Sequence, residues 1–240
     1  MRSLPTSPLT RRQAIAALGG AGAGATLLSL GAGHALAATT TSCVTLTPEV
    51  TAGPYYIANH LTRRNVTDGQ KGIALQLRLT VADVVRCQPI PAADVEIWHA
   101  NALGVYSGYG SAATPSPGAG GGGHVTPNNT LRFLRGHQRT DRDGLAIFDT
   151  IYPGWYRGRA PHIHVRVHVG GNVLHTGQLF FDDTLSDAVY RTPDYATHGQ
   201  PDTTDSADQI YAQEGGARAV LRIRSHAGGY SGAITMGVKR

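Results

Sequence analysis

The sequence predicts an all-β protein built as a sandwich or barrel, and three observations support this. Residues 73–84, "IALQLRLTVADV", place leucine or valine at every second position, which is the period of a half-buried strand. Short apolar runs recur along the chain between Gly, Pro, Asn and Asp clusters, as in proteins made of many short strands. Helical patterns are confined to residues 185–191 and 206–213, so we expect short helices on a sheet protein.

Further predicted strands follow the first one in chain order. They are "VEIWHA" (95–100), "LAIFDTI" (145–151), "HIHVRVHV" (162–169), "VLHTGQLFF" (173–181), "VLRIRSH" (220–226) and "AITMGV" (233–238). Between them, residues 110–130 are rich in Gly, Pro and small polar residues that cannot bury a core, so we predict a long surface loop there. Its place in the chain leaves a role as a lid or rim open.

The amino terminus has the three parts of an export signal. Arg11 and Arg12 are followed by an apolar Ala/Leu/Gly run, and residues 35–37 form an A-x-A cleavage site. The pair of arginines after Thr10 favours the twin-arginine pathway. We therefore expect a leader over residues 1–37 and a mature, exported domain over 38–240. The apolar run is broken by glycine and is too short to span a membrane, which needs ~20 residues.

Removing the leader changes the charge of the protein. The full chain has 21 basic and 16 acidic residues, and three of the basic residues lie in the leader. The mature chain is then only slightly basic, and we expect no nucleic-acid partner and no membrane span. Its roughly 200 residues suit one domain. The two cysteines, Cys43 and Cys87, predict one disulfide in an oxidising compartment.

The strand at 162–169 carries histidines on one face. Residues two apart on a strand point the same way, so His162, His164 and His168 share a face opposite a row of Ile and Val. The first two can converge on one metal ion, whereas His168 lies roughly 13 Å from His164 and is expected outside that shell. By themselves these residues equally allow an exposed strand with incidental histidines.

Tyrosines near this strand broaden the set of ligands. The segment "TIYPGWYRGRAPHIH", residues 150–164, brings a Pro-Gly turn, aromatic residues and an arginine close to the histidines. A phenolate becomes a ligand beside a hard, strongly acidic cation such as ferric iron, which lowers the phenol pKa from about 10. Oxygen donors combined with imidazole suit iron better than the metals that prefer thiolates.

Several segments in order resemble the intradiol ring-cleavage dioxygenases, and in particular their exported single-chain branch. These segments are "GPYY" (53–56), "VEIWHANALGVYSGY" (95–109), "RTDRDGLAIFDTIYPGWYRGRAPHIH" (139–164) and "GQLFF" (177–181). The resemblance implies an immunoglobulin-like or prealbumin-like β-sandwich with long loops. It also implies a non-haem Fe(III) cofactor.

The family pattern assigns a role to each matching residue. It implies the metal ligands Tyr106, Tyr156, His162 and His164, with Tyr156 and His162 as the axial pair. Arg159 and Gln178 match its active-site arginine and glutamine, and Tyr156 also has a catalytic role because it leaves the metal when substrate binds. Tyr109 and Tyr152 are nearby competitors that fit the spacing less well. Candidate residues of the substrate pocket are Tyr55, Tyr56 and Trp98, for which core packing is an equal alternative.

The resulting hypothesis is an exported ferric dioxygenase. It would cleave catechol-type rings between the two hydroxyls with O2 and give muconate-type diacids, and the sequence also allows a homo-oligomer. The alternative is a secreted β-sandwich binding module with a structural or vestigial metal site. A metallohydrolase is disfavoured because no H-E-x-x-H motif occurs.

Overall fold

The strands of the protein form two sheets that pack face to face. In the computed structural model, which describes residues 43–110 and 125–240, the strands occupy most of the sequence runs that predicted them. They are β1 (Ala74–Asp83), β2 (Gln88–Pro89), β3 (Asp94–Trp98), β4 (Arg135–Arg139), β5 (Leu145–Ile151), β6 (His162–Val169), β7 (Asn172–Phe180), β8 (Arg222–His226) and β9 (Gly229–Val238). The predicted all-β sandwich is confirmed.

Sheet A is organised around β1. Strand β9 runs parallel to β1 along its whole length, and β5 pairs antiparallel with it on the other side. Strand β2 continues that second side at the end of β1, and β8 adds to the outer edge of β9. Sheet B has the order β4-β3-β6-β7 and is antiparallel throughout. The site described below lies on sheet B.

The core fills the space between the sheets. The apolar positions of β1 (Leu75, Leu77, Leu79 and Val81) are at most 1% exposed and face the Ile and Val row of β6. Because side chains alternate along a strand, burying this row turns the histidines of β6 to the outer face of sheet B. That face is covered by the chain around residues 51–63 and by the loop after β3.

Strand β4 was not predicted from the sequence. Its residues, "RGHQR", do not alternate between apolar and polar side chains. Arg135 and His137 both point to the polar outer face of sheet B. The structure pairs β4 with β3 over five residues, with Glu96 opposite His137. Tertiary pairing therefore imposes a strand where local preference does not.

Short helices connect β7 to β8. They are α1 (Asp183–Val189), α2 (Pro193–Ala196) and α3 (Gln209–Gln213), with 3₁₀ turns at Asp205–Ala207 and Gly216–Ala219. Two of these helices lie at the predicted positions, and α2 was missed. Within the described ranges, no helix is long and apolar enough to cross a membrane.

The predicted disulfide is present. It joins Cys43 to Cys87, whose Cα atoms are 4.9 Å apart, and so ties the first described residue to the turn between β1 and β2. The leader predicted over residues 1–37 and most of the Gly-rich loop at 110–130 lie outside the described residues.

Candidate metal centre

Four donor side chains meet on the outer face of sheet B. His162 and His164 extend from β6, Tyr106 from the loop after β3, and Tyr156 from the loop after β5. The Nε2 atom of His162 lies 3.2 Å from Nε2 of His164, 3.3 Å from the Tyr156 hydroxyl and 3.4 Å from the Tyr106 hydroxyl. All four side chains are buried. The structure thus brings together the four residues that the sequence nominated as ligands.

The distances between these donors fit a shared metal ion. Donors bound at about 2.1 Å to one first-row metal lie roughly 3.0–3.4 Å apart for angles between a right angle and the tetrahedral value. The Nδ1 atom of His162 is 2.7 Å from the carbonyl oxygen of Ala160, to which it donates when it carries the ring proton. In that neutral tautomer the Nε2 atom of His162 presents a lone pair toward the nitrogen of His164. A Lewis acid between them would satisfy both nitrogens.

Tyrosines supply the other donor atoms close to the two histidines. Across residues 43–110 and 125–240, no group of three or more His, Cys, Asp or Glu side chains could hold a metal ion. Any further side-chain ligand of a metal bound by His162 and His164 would therefore be of another type. The two phenol oxygens, Tyr106 and Tyr156, are the groups within reach.

Burial sets the protonation of the four donors. It lowers the pKa of His162 to about 3, with a further contribution from the nearby Arg159 guanidinium, and it lowers the pKa of His164 well below its ordinary value. Both imidazoles are therefore neutral at neutral pH and ready to bind a metal. Burial raises the pKa of Tyr106 and Tyr156, although Arg159 opposes the shift for Tyr156. A bound cation is what would convert these phenols into phenolates.

Arg159 extends along one side of the four donors. Its Nη1 donates to the Tyr156 hydroxyl at 3.2 Å and its Nη2 to Oε1 of Gln178 at 2.5 Å. The amide nitrogen of Gln178 donates in turn to the carbonyl oxygen of Thr51 at 3.2 Å. The Nε atom of Arg159 pairs with Oδ2 of Asp208 at 2.9 Å. The arginine and glutamine nominated from the sequence therefore lie together beside Tyr156.

Aromatic residues surround the donors on two sides. Trp98 lies flat on the His164 ring, with the ring centres 4.9 Å apart and the planes within 3°. Trp98 itself is fully buried. Tyr55 stacks on Tyr106 at 4.9 Å, and Tyr56 meets Trp98 edge-on at 5.0 Å.

A glycine lets the covering chain approach the site. Gly53 has φ = +72°, which favours glycine, and a Cβ atom there would lie 3.1 Å from Cε1 of His164. This close approach brings the adjacent "PYY" residues over the donors. A side chain at this position would crowd His164, which explains the glycine of the "GPYY" segment.

The competing candidates occupy other places. Tyr152 is in the core, where its hydroxyl bonds Ser186 at 2.8 Å and its ring packs on Phe181. Tyr109 packs edge-on against Tyr55 at 5.1 Å, one layer beyond the donors. His168 lies beside Glu96, with Nε2 and Oε2 3.6 Å apart.

The sequence analysis did not identify two charged residues near the site, Arg135 and Asp208. Arg135 is 1% exposed and holds Ser107 through two hydrogen bonds, with its guanidinium carbon 5.9 Å from the Tyr106 ring centre. Burial lowers its pKa to about 10. Asp208 is the carboxylate that pairs with Arg159 across 49 positions of sequence. Asp208 lies inside the helical pattern predicted at 206–213, and the structure begins α3 directly after it, so that Asp208 is the N-cap.

The chain is similar to solved structures of ring-cleaving dioxygenases. An intradiol ring-cleavage dioxygenase from Tetranychus urticae is 32% identical, with a TM-score of 0.75 over 82% of this chain and 95% of that one. The dioxygenase domain of a carbohydrate-binding fusion protein from Streptomyces sp. SirexAA-E is 24% identical, with a TM-score of 0.58 over 81% and 99% of the two chains.

Catechol 1,2-dioxygenase from Acinetobacter sp. ADP1 shares the fold at 22% identity, with a TM-score of 0.54 over 81% of this chain and 63% of that one. No family model and no curated protein sequence matches the chain. The likeness to the Tetranychus urticae enzyme combines 32% identity with coverage of more than four fifths of each chain. The chain belongs to the intradiol ring-cleavage dioxygenases.

Proposed function

We propose that this protein is a non-haem ferric dioxygenase that opens catechol-type rings between their two hydroxyls. The observation that carries the proposal is the convergence of two phenol oxygens and two neutral imidazoles, with His162 Nε2 3.2–3.4 Å from the other three donors. The overall reaction joins one catechol and one O2 to give one muconate-type diacid. No other reactant is required, because both oxygen atoms enter the product.

The residues proposed to hold iron are Tyr106, Tyr156, His162 and His164. Two phenolates with two imidazoles form a hard, electron-rich donor set that suits Fe(III). When bound, ferric iron would supply the Lewis acidity that holds the catechol as a dianion and makes its ring reactive toward O2.

The protein's own residues prepare the site for a dianionic substrate. The Ala160 carbonyl orients His162 and favours the tautomer that leaves Nε2 free for the metal. Arg159 places a fixed positive charge next to the Tyr156 hydroxyl, where it would stabilise negative charge that develops on the substrate ring. In the proposed cycle, the Tyr156 phenol oxygen accepts a proton when substrate displaces it.

Gln178 and the tyrosines have supporting roles in this proposal. Gln178 bonds Arg159 on one side and the backbone of Thr51 on the other, and so restricts the guanidinium. Tyr55 and Tyr56 come from the segment that covers the donors, and we propose that they line the substrate pocket. Aromatic walls of this kind would restrict water and orient a planar ring.

The test is oxygen uptake by the iron-loaded mature protein with a panel of ring-substituted catechols. We expect a reddish-brown protein, consumption of one O2 per catechol, and products that carry both atoms of isotopically labelled O2. The Tyr152→Phe variant should keep the colour and the O2 consumption, because the Tyr152 hydroxyl bonds Ser186 in the core. A colourless, fully zinc-loaded protein that consumes no O2 would instead favour the secreted binding module.

We also propose that the chain is exported by the twin-arginine pathway and that residues 38–240 form the mature domain. The support is the leader pattern around Arg11 and Arg12, together with a disulfide that suits an oxidising compartment. Amino-terminal sequencing of the exported protein should begin near Ala38. Replacement of Arg11 and Arg12 by lysine should retain the protein inside the cell, and normal export of that variant would contradict the proposed route.

A further inference from the structure

A buried carboxylate lies behind the candidate metal centre. The side chain of Asp208 has no exposed surface, and it immediately precedes α3. Its Oδ1 accepts hydrogen bonds from the backbone N–H of Ile210 at 2.8 Å and of Tyr211 at 3.3 Å, which caps the helix. This cap fixes one oxygen and leaves the other directed at the site.

The second oxygen of Asp208 holds two groups at once. Oδ2 accepts from Nε of Arg159 at 2.9 Å and from the backbone N–H of Ala160 at 2.9 Å. Among the described residues, Asp208 is the only carboxylate within 4.0 Å of Arg159. The other recorded partners of that guanidinium, the Tyr156 hydroxyl and the Gln178 amide oxygen, are neutral groups in this structure.

Arg159 and Ala160 each contact a candidate metal ligand. Arg159 donates to the Tyr156 hydroxyl at 3.2 Å, and the carbonyl of Ala160 is 2.7 Å from Nδ1 of His162. The same carboxylate oxygen is therefore linked to Tyr156 through Arg159 and to His162 through Ala160. Both are among the four side chains proposed to hold iron.

We propose that Asp208 is a positioning residue that sets the orientation of Arg159 and of His162 together. The inference rests on the proposed function, since it assigns the two residues a shared support in that site. A long arginine side chain keeps one orientation only if its donors are satisfied, and here the buried carboxylate satisfies Nε. The same oxygen holds the backbone N–H of Ala160, the residue whose carbonyl selects the tautomer of His162.

The variant that tests this role is Asp208→Asn. An asparagine keeps the size of the side chain, but one of its two faces carries NH2 in place of an acceptor. With its NH2 toward the site, the side chain presents a donor to Nε of Arg159 and to the N–H of Ala160. With its NH2 toward α3, it loses the helix cap and offers Arg159 a neutral oxygen in place of a charge-assisted hydrogen bond. The matched control is Asp205→Asn, which removes a buried carboxylate three residues earlier that has no recorded contact with Arg159.

The first readout uses the iron-free, nitrogen-15-labelled protein and needs no activity. In the parent and in Asp205→Asn, we expect a slowly exchanging Arg159 Nε–H signal in NMR spectra and a His162 ring protonated at Nδ1. In Asp208→Asn, the Nε–H signal should be lost and the His162 tautomers should mix. Spectra that match the control would overturn the proposal.

The second readout uses the iron-loaded protein. Loss of an outer-shell partner of a metal ligand costs about 10–100-fold, and we expect kcat of Asp208→Asn to fall by that factor with a shifted tyrosinate-to-iron band. Wild-type kcat and an unmoved band would refute the positioning role. If Asp208→Asn does not fold, Asp208→Glu keeps the charge and displaces it by one methylene. A folded Asp208→Glu with reduced kcat supports the proposal, and one with wild-type kcat overturns it.

Failure of the proposed function is distinguishable from failure of this inference. If the parent protein neither binds iron with a visible band nor consumes O2, the proposed function fails. The NMR comparison on iron-free protein still reports whether Asp208 orients Arg159 and His162.

Discussion

Replacement of Trp98 by leucine should weaken metal binding by removing the support of His164. The two rings are stacked at 4.9 Å with planes within 3°, and Trp98 is fully buried. Aromatic pairs of this geometry contribute about 0.5–1.5 kcal/mol beyond their buried area. If that energy is lost from the orientation of His164, the metal affinity should fall roughly 2- to 12-fold, since about 1.4 kcal/mol is a factor of ten.

The stability of the Trp98→Leu variant should change less than the lost volume suggests. Truncation of a buried Trp or Phe to alanine costs about 3–5 kcal/mol, and leucine refills part of the space. The indole N–H of Trp98 has no hydrogen-bond partner among the described residues. Its removal relieves a penalty of about 1–3 kcal/mol, which offsets part of the packing loss.

The assay is competition for the metal with a chromogenic chelator, together with urea unfolding. Phe148→Leu is the matched control, because Phe148 is also an aromatic residue with no exposure but lies in the core between the sheets. We expect the control to lose stability and keep its metal affinity. Equal affinities for the two variants would show that stacking on His164 does not support the metal site.

Three further predictions concern other parts of the molecule. Tyr156→Phe should weaken the visible band of the iron-loaded protein. Tyr152→Phe, which changes a core residue, should leave the band unchanged. Identical spectra of the two variants would contradict the ligand assignment. Glu96→Gln should reduce stability most between about pH 4.5 and 6.5, as measured by urea midpoints. Burial alone would raise the pKa of Glu96 and lower that of His137, but their mutual contact leaves the first lowered and the second raised. The stabilisation is thus present above the ordinary carboxyl pKa and below the ordinary imidazole pKa, and it fades as pH rises through the raised pKa of His137; a loss that grows at alkaline pH would refute this. The denatured, unreduced protein should contain no free thiol, and replacement of both cysteines by serine should cost roughly 3–4 kcal/mol for a loop of 44 residues.

Much of the fold could be predicted from local sequence pattern. The alternation at 73–84 and the runs at 145–151 and 162–169 became strands with nearly the same limits, since one face of each strand is buried in the core. Strand β4 escaped prediction because its pattern is polar on the face that meets the site. Its strand conformation depends on pairing with β3, which no local pattern encodes.

The candidate site was only partly accessible from the sequence. The four donors and Arg159 could be named because the motifs around them resemble those of the intradiol ring-cleavage dioxygenases. Asp208 could not, because its partner Arg159 is 49 residues away and a helix N-cap before 209–213 gave no indication of that contact. Trp98, which the sequence analysis names as a candidate pocket residue, lies against the rings of His164 and Tyr56.

The sequence alone determined the sheet-rich fold class, the pair of cysteines available for a disulfide, and the histidine face of one strand. These properties depend on side-chain period and on residue type, which are local. Only the tertiary structure decided that two tyrosines from separate loops meet those histidines within 3.4 Å. It also decided that one buried carboxylate, Asp208, contacts both Arg159 and the backbone of Ala160, because contacts between distant segments depend on how the sheets and loops pack.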